Sequence, residues 1–164
     1  MDKIYISDIK NISNDTYTYF LSVLPKDIRE NINLIKCEKK RFEKVIGNIL
    51  IRYAIKDFFG IPIKNQNFLY NQKGKPYIIG YENVHFNLSH SGDLVVCAVS
   101  TDEIGVDIEK IRPVKEQTIN KVCCFKELKY LDNSTDKTSE FIRIWTAKEA
   151  YVKRFGEGLK GDLK

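Results

Sequence analysis

The chain has no pair of cysteines at CxxC spacing, no apolar run approaching the length of a membrane span, and no dense Arg/Lys stripe interleaved with aromatics. Each absence excludes a class. No disulfide framework is expected from Cys37, Cys97, Cys123 and Cys124, and Cys97, inside an apolar run, reads as a small hydrophobe in a reducing cytoplasm. Met1 to Ser7 lacks the basic and apolar regions of a signal peptide, so a soluble, cytoplasmic protein without a membrane partner is expected. A nucleic-acid partner is not expected either; the net charge of +5 comes from scattered lysines, which read as a solvated surface or as attraction for an acidic partner or phosphorylated ligand. No repeat, low-complexity segment or long linker interrupts the 164 residues, enough for one domain or two small halves with a core.

What is present alternates helical and strand-like patterns. Lys3 to Asp8 reads as a strand, Tyr17 to Leu24 as an apolar cluster, and Pro25 restarts the chain as a short charged helix. From Glu38 to Phe59 apolar residues recur at three and four positions, predicting a long amphipathic helix ended by Gly60 and Pro62. Lys39, Lys40, Lys44, Asn48 and Arg52 form its other face, which amphipathicity alone assigns to solvent. Phe68 to Tyr70 and Tyr77 to Ile79 read as short strands around Gly74-Lys75-Pro76, a hairpin turn or a loop bringing an ammonium and backbone donors to a phosphate.

Phe86 to Glu109 organises the rest. Val84 to Leu88 and Leu94 to Val99 predict a hairpin around Ser89-His90-Ser91-Gly92-Asp93. Its histidine is a satisfied surface residue or a ligand contact. Ile104 to Ile111 reads as a strand with Val106 and Ile108 on one face and Gly105, Asp107 and Glu109 on the other. Two neighbouring carboxylates repel unless a cation lies between them, and hard oxygen ligands suit Mg²⁺; an exposed acidic face explains the pair equally well.

Lys115 to Val122 and Lys126 to Leu131 read as helices, and Glu140 to about Phe155 as a final one, ended by Gly156-Glu157-Gly158-Leu159. Phe141, Ile144, Val152 and Phe155 form its core stripe; Trp145, Glu149 and Lys153, each four apart, share a second face. An exposed Glu-to-Lys pair at that spacing contributes only ~0.3–0.5 kcal/mol.

Four motifs, Gly74-Lys75-Pro76, Phe86-Asn87-Leu88-Ser89-His90-Ser91, Gly105-Val106-Asp107-Ile108-Glu109 and Trp145-Thr146-Ala147-Lys148-Glu149-Ala150-Tyr151-Val152-Lys153, occur in this order. Together they resemble the 4′-phosphopantetheinyl transferases of the Sfp type, over almost the whole chain, the Arg41 to Arg52 helix included. The resemblance implies an α+β fold, a pseudo-dimer of two similar α+β halves with the site in the cleft between them. Here these are residues 1–100 and a partial second half, 101–164. It further implies Mg²⁺-dependent transfer of the 4′-phosphopantetheine arm from coenzyme A to a serine of an apo acyl or peptidyl carrier protein, releasing adenosine 3′,5′-bisphosphate.

By the same resemblance Asp107, Glu109 and Glu149 are the metal-binding carboxylates, and Asp107, Glu149 and Lys153 the catalytic set. Lys44, Gly74, Lys75, Pro76, Ser89, His90 and Lys153 hold coenzyme A, with Lys44 near its 3′-phosphate and Lys153 on the pyrophosphate. Val114 to Tyr130, with Phe125, Lys121 and Lys126 first, is a carrier-docking surface or an ordinary packed helix. Two departures stand out. Pro25 is followed by Lys26-Asp27-Ile28-Arg29-Glu30-Asn31 rather than a basic pair, leaving Arg29 as the substitute. Few residues follow Lys153, so the second half is expected to be truncated, and the chain to work as a monomer, to dimerise, or to bind coenzyme A or a carrier without catalysis.

Overall fold

The structure, a computed structural model, describes residues 1–72 and 74–156. Its centre is an antiparallel three-stranded sheet of β1 (Asp2–Asp8), β4 (His85–Ser91) and β5 (Leu94–Ser100), in the order β1-β5-β4. Val95, Val96, Cys97, Ala98 and Val99 are all buried, as a strand covered on both faces requires. Burial pushes the Cys97 thiol up to about 12, so it is an inert part of the core. A second, two-stranded sheet pairs β2 (Phe68–Tyr70) with β3 (Pro76–Ile78).

Three helices precede these small strands: α1 (Asn14–Val23), α2 (Lys26–Asn33) and α3 (Glu38–Phe59). The long α3 has the bounds its periodicity predicts and closes on Gly60, whose φ of 70° lies in the left-handed region. It buries Val45, Ile46, Ala54 and Ile55 against the sheet and the flanking helices. Arg52 corrects the expectation of a wholly solvated outer face. It is buried, its Nη1 donates to the Gln66 carbonyl at 3.2 Å, and its guanidinium lies 4.6 Å from the Phe68 ring centre. The side-chain amide of Gln66 donates in turn to the carbonyls of Arg52 and Ile61. A helix-face pattern could not show this, because Gln66 and Phe68 meet α3 only in the fold.

Residues 101–156 contribute α4 (Glu116–Val122), α5 (Phe125–Asp132) and α6 (Lys137–Phe155), which enclose Ile119, Val122, Cys123, Leu131, Phe141 and Ile142. Lys148 ties these helices together, donating to Glu127 Oε2 at 2.7 Å and to the Val122 carbonyl at 2.9 Å. Among the described residues every strand lies between Asp2 and Ser100, so the molecule is α+β with its sheets in the first part of the chain. The helix-ending Gly156 is described, with φ 65°, while Glu157-Gly158-Leu159 lie outside the described residues. Among the described residues no helix is long and apolar enough to cross a membrane.

Two strand expectations are corrected. Ser89, His90 and Ser91 are not in a turn, because β4 continues through Ser91 and pairs residue by residue with β5, leaving Gly92-Asp93 as the connection. Residues 104–111 form no strand of the sheet. They run beside β4, with backbone donors satisfied by its side chains: Val106 N–H donates to Asn87 Oδ1 at 2.9 Å, Ile108 N–H to Ser89 Oγ at 3.4 Å and Lys110 N–H to Ser91 Oγ at 3.0 Å. The segment keeps a strand's alternation, but side-chain oxygens take the place of a neighbouring strand's carbonyls.

Candidate active site

Alternation along β4 divides the site. Phe86, Leu88 and His90 face α3; Asn87, Ser89 and Ser91 face the acidic segment. Because β4 is an edge strand, clefts on its two sides meet around its open edge, sharing Leu88 and His90.

On the α3 side lies a cleft of about 530 Å³, walled by apolar residues such as Ile51, Phe68 and Phe86 and lined also by Lys40, Glu43, Lys44 and His90. His90 Nδ1 is 3.6 Å from Glu43 Oε2, on α3. Lys44 and Pro76, two of the expected ligand residues, line this cleft. An apolar wall with a few basic groups suits a ligand that combines a flat or aliphatic body with phosphates.

The second cleft, about 280 Å³, is lined by Ser89, His90, Asp107, Glu109, Trp145, Glu149 and Lys153. The four-residue spacing on α6 thus brings Trp145, Glu149 and Lys153 to the acidic segment. Their approach depends on Gly105: a Cβ there would meet the Ala150 carbonyl oxygen at 2.0 Å and the Arg154 nitrogen at 2.5 Å, so only glycine lets the segment lie on the helix backbone.

Two serines of β4 hold the acidic segment in parallel. Ser89 Oγ donates to Asp107 Oδ1 at 2.7 Å, and Ser91 Oγ to Glu109 Oε2 at 3.0 Å. Lys153 Nζ donates to Asp107 Oδ1 at 2.6 Å and to Ser89 Oγ at 3.0 Å. Burial first, then the charge of Asp107, pushes the Glu149 carboxyl above its ordinary value; Lys153 pulls it down and Glu109 adds to the rise.

Two buried oxygens in the cleft have no hydrogen-bond partner, Asp107 Oδ2 and Glu149 Oε1. Leaving a buried carboxylate oxygen bare costs about 1–3 kcal/mol or more, so this pair calls for a cationic occupant. Among the described residues no three acidic, cysteine or histidine side chains are already gathered at ligating distance. The donor chemistry nevertheless fits a hard divalent ion: three carboxylates, two of whose oxygens are without a hydrogen-bond partner, with room in the cleft for water or phosphate oxygens.

Lys75 sits at the edge of this arrangement. Its Nζ donates to the Arg154 carbonyl at 2.6 Å, near the C-terminal end of α6, and forms an ion pair with Glu103. Burial works to raise the Glu103 carboxyl, but the hydrogen bond and charge of Lys75, with His85 and Arg154, hold it below its ordinary value. Gly74 takes φ 80° in the preceding turn, where Asn71 Oδ1 accepts from Lys75 N–H at 2.9 Å. Gly74 and Lys75 therefore join the hairpin to α6, while Lys44 and His90 face the larger cleft.

Asn87 and Ser91, which stand in the sequence motif without a role of their own, and Glu43 and Glu103 also belong to the site. The first two had a visible signal, a polar residue at every second position of β4 opposite a segment of equal alternation.

Comparison with known proteins agrees with this geometry. Residues 11–102 match the family model described as 4′-phosphopantetheinyl transferase, N-terminal, and residues 103–164 that of the 4′-phosphopantetheinyl transferase superfamily. The chain is similar to the 4′-phosphopantetheinyl transferase gsp of Aneurinibacillus migulanus, 27% identical over 97% of this chain and 67% of the relative. It is 28% identical to the 4′-phosphopantetheinyl transferase Sfp of Bacillus subtilis (strain 168), over 90% of this chain and 67% of that protein. Another 4′-phosphopantetheinyl transferase of Bacillus subtilis is 32% identical over 85% of this chain and 63% of its own length. The chain thus spans about two thirds of the length of these curated relatives. With one family model covering α3, β4 and β5, and another the acidic segment and α6 that close the cleft, the chain belongs to the 4′-phosphopantetheinyl transferase superfamily.

Proposed function

We propose that the chain transfers the 4′-phosphopantetheine arm of coenzyme A to a serine hydroxyl of an apo acyl or peptidyl carrier protein, with Mg²⁺ and in the cytoplasm. The observation that carries this reading is the pair of bare buried oxygens, Asp107 Oδ2 and Glu149 Oε1, at the junction with a basic, apolar-walled cleft. Residues 1–100 supply the ligand wall, and Asp107, Glu109 and Glu149 of the second half the acidic wall.

Asp107, Glu109 and Glu149 would hold Mg²⁺, which supplies charge neutralisation and orientation at the pyrophosphate oxygens. Lys44 and His90 bind phosphate from the α3 side, with the Gly74-Lys75-Pro76 turn at its border and Ser89 opposite. A serine hydroxyl is a weak nucleophile until a base takes its proton, and Glu149, raised by burial and by Asp107, is suited to do so. The carrier oxygen bonds to the phosphorus bearing pantetheine, the bond from that phosphorus to the bridging oxygen breaks, and Lys153 gives a proton to the departing adenosine 3′,5′-bisphosphate. What supports this role is that Lys153 lies in the acidic cleft, 2.6 Å from Asp107 Oδ1.

For the carrier, Phe125 is the first contact: it is 80% exposed at the start of α5, between Lys121 and Lys126, as suits an acidic helix with an apolar ridge.

Calorimetric titration of coenzyme A with Mg²⁺ tests the ligand assignment. Binding is expected, weakened about tenfold or more by Lys44→Ala or His90→Ala, the loss of one charge-assisted hydrogen bond. No binding by the unaltered chain overturns the reading. Binding without transfer to any carrier would leave a coenzyme A-binding module.

A further inference from the structure

The cleft's acidic wall is held in place by a row of side chains on β4. Three residues of β4, at every second position, accept hydrogen bonds from three alternate N–H groups of the acidic segment: Asn87 from Val106, Ser89 from Ile108 and Ser91 from Lys110. Each serine then donates to the carboxylate just before the amide it serves, Ser89 to Asp107 and Ser91 to Glu109. A hydroxyl has one proton. With the amide occupying a lone pair, that proton is directed to the carboxylate, and each acid is fixed in direction by a backbone–hydroxyl–carboxylate relay.

The two relays differ in what else they touch. Ser89 Oγ also receives Lys153, so it lies within the cleft's ligand chemistry. The Ser91 hydroxyl accepts from the Lys110 amide and donates to the Glu109 carboxylate, and it does not line either cleft that meets at β4. We propose that Ser91 is a positioning residue that orients Glu109 toward the divalent cation, with Asn87 setting the register in which the relay works. The proposal rests on the functional reading above, in which Glu109 is a metal ligand. Hydroxyl partners that orient metal-ligating carboxylates typically change metal affinity by about 10–100-fold when removed.

The test reads the metal itself. Mn²⁺, an oxygen-preferring octahedral ion, is titrated into the full chain with saturating coenzyme A, and free Mn²⁺ is counted by electron paramagnetic resonance. A control contains coenzyme A without protein. Ser91→Ala is expected to weaken protein-dependent Mn²⁺ binding by about tenfold or more, while Ser91→Thr, which keeps the hydroxyl, restores it to within about twofold. The coenzyme A affinity of Ser91→Ala, measured without metal, stays unchanged. If Ser91→Ala loses its cooperative melt, Ser91→Cys, nearly isosteric and a poor donor, carries the same expectation.

Mn²⁺ affinity equal to that of the unaltered chain in Ser91→Ala, with Asp107→Ala impaired, overturns the positioning role and leaves the metal reading standing. Equal loss in Ser91→Ala and Ser91→Thr also overturns it, since packing and not the hydroxyl would then matter. No protein-dependent Mn²⁺ binding by the unaltered chain removes the functional reading and this proposal together.

Discussion

Lys153 Nζ lies 2.6 Å from Asp107 Oδ1, and this contact joins α6 to the segment beside β4 across the acidic cleft. The Asp107 side chain is only 6% exposed, so its charge needs a partner in place. Lys153 supplies it at one oxygen, and the other oxygen remains bare.

Replacing that ammonium separates its two uses. Lys153→Met is expected to lower transfer by about 10²-fold or more, the loss of a positioned proton donor. It should also lower the melting temperature and enlarge the stabilisation given by Mg²⁺, because the ion then compensates a carboxylate left without its lysine. Equal Mg²⁺-induced shifts in the variant and the unaltered chain, measured by scanning calorimetry, would show that the two cations do not serve the same charge.

Glu149 holds a bare buried oxygen beside Asp107 and Glu109. Glu149→Gln removes one negative charge and adds a donor, and is expected to stabilise the metal-free chain by about 1–3 kcal/mol while abolishing transfer. Denaturant melts without metal check this. A less stable variant would mean that Glu149 is satisfied by neighbours and not reserved for a ligand.

Two glycines offer a contrast in packing. A Cβ at Gly105 would strike the backbone of α6 at 2.0 Å, whereas one at Gly47 would meet Leu88 Cδ2, the end of a side chain, at 2.7 Å. Gly105→Ala is expected to cost about 3 kcal/mol or more and to open the acidic cleft. Gly47→Ala should be near neutral, since the roughly 1 kcal/mol helix gain offsets a small shift of Leu88. Equal effects in thermal melts would contradict the close approach of the acidic segment to α6.

An acid-sensitive contact lies away from the site. Asp57 accepts hydrogen bonds from Lys3 and Tyr5, at 2.6 and 2.7 Å, and these, Lys3 first, hold its carboxyl below its ordinary value. A carboxyl depressed by folding contributes stability above its unfolded pKa of about 3.9, lost as pH falls through the lower folded value. Asp57→Asn is therefore expected to reduce the slope of stability against pH between about pH 4 and the acid limit and to leave the neutral-to-basic range parallel. An unchanged acid slope in urea melts would remove this contact from the acid response.

The sequence was most legible where one chain segment meets one core. Helix α3 runs from Glu38 to Phe59 as its periodicity predicts, because twenty-two residues of regular spacing and a left-handed Gly60 leave little alternative. The convergence of Trp145, Glu149 and Lys153 was equally readable, since a helix face depends only on spacing. Arg52 was not, because its burial depends on Gln66 and Phe68 arriving from another part of the chain. The acidic segment lay between these cases. Its alternation gave the faces of Asp107 and Glu109, yet only the fold shows that Asn87, Ser89 and Ser91 stand in for a neighbouring strand. Ser89 and Ser91 read as part of a turn because their partners are not local.

The most direct test of the account is the mass of a carrier protein. The purified chain is incubated with coenzyme A, Mg²⁺ and an apo carrier protein, and the carrier is weighed intact. The account predicts one added phosphopantetheine arm, lost with a chelator and lost in Asp107→Ala and Glu149→Gln, which keep their fold. Transfer undiminished by chelator and by both substitutions would contradict the metal-bearing acidic cleft. No transfer to acyl or peptidyl carriers, with a relative of full length active alongside, would contradict the proposed activity of this chain.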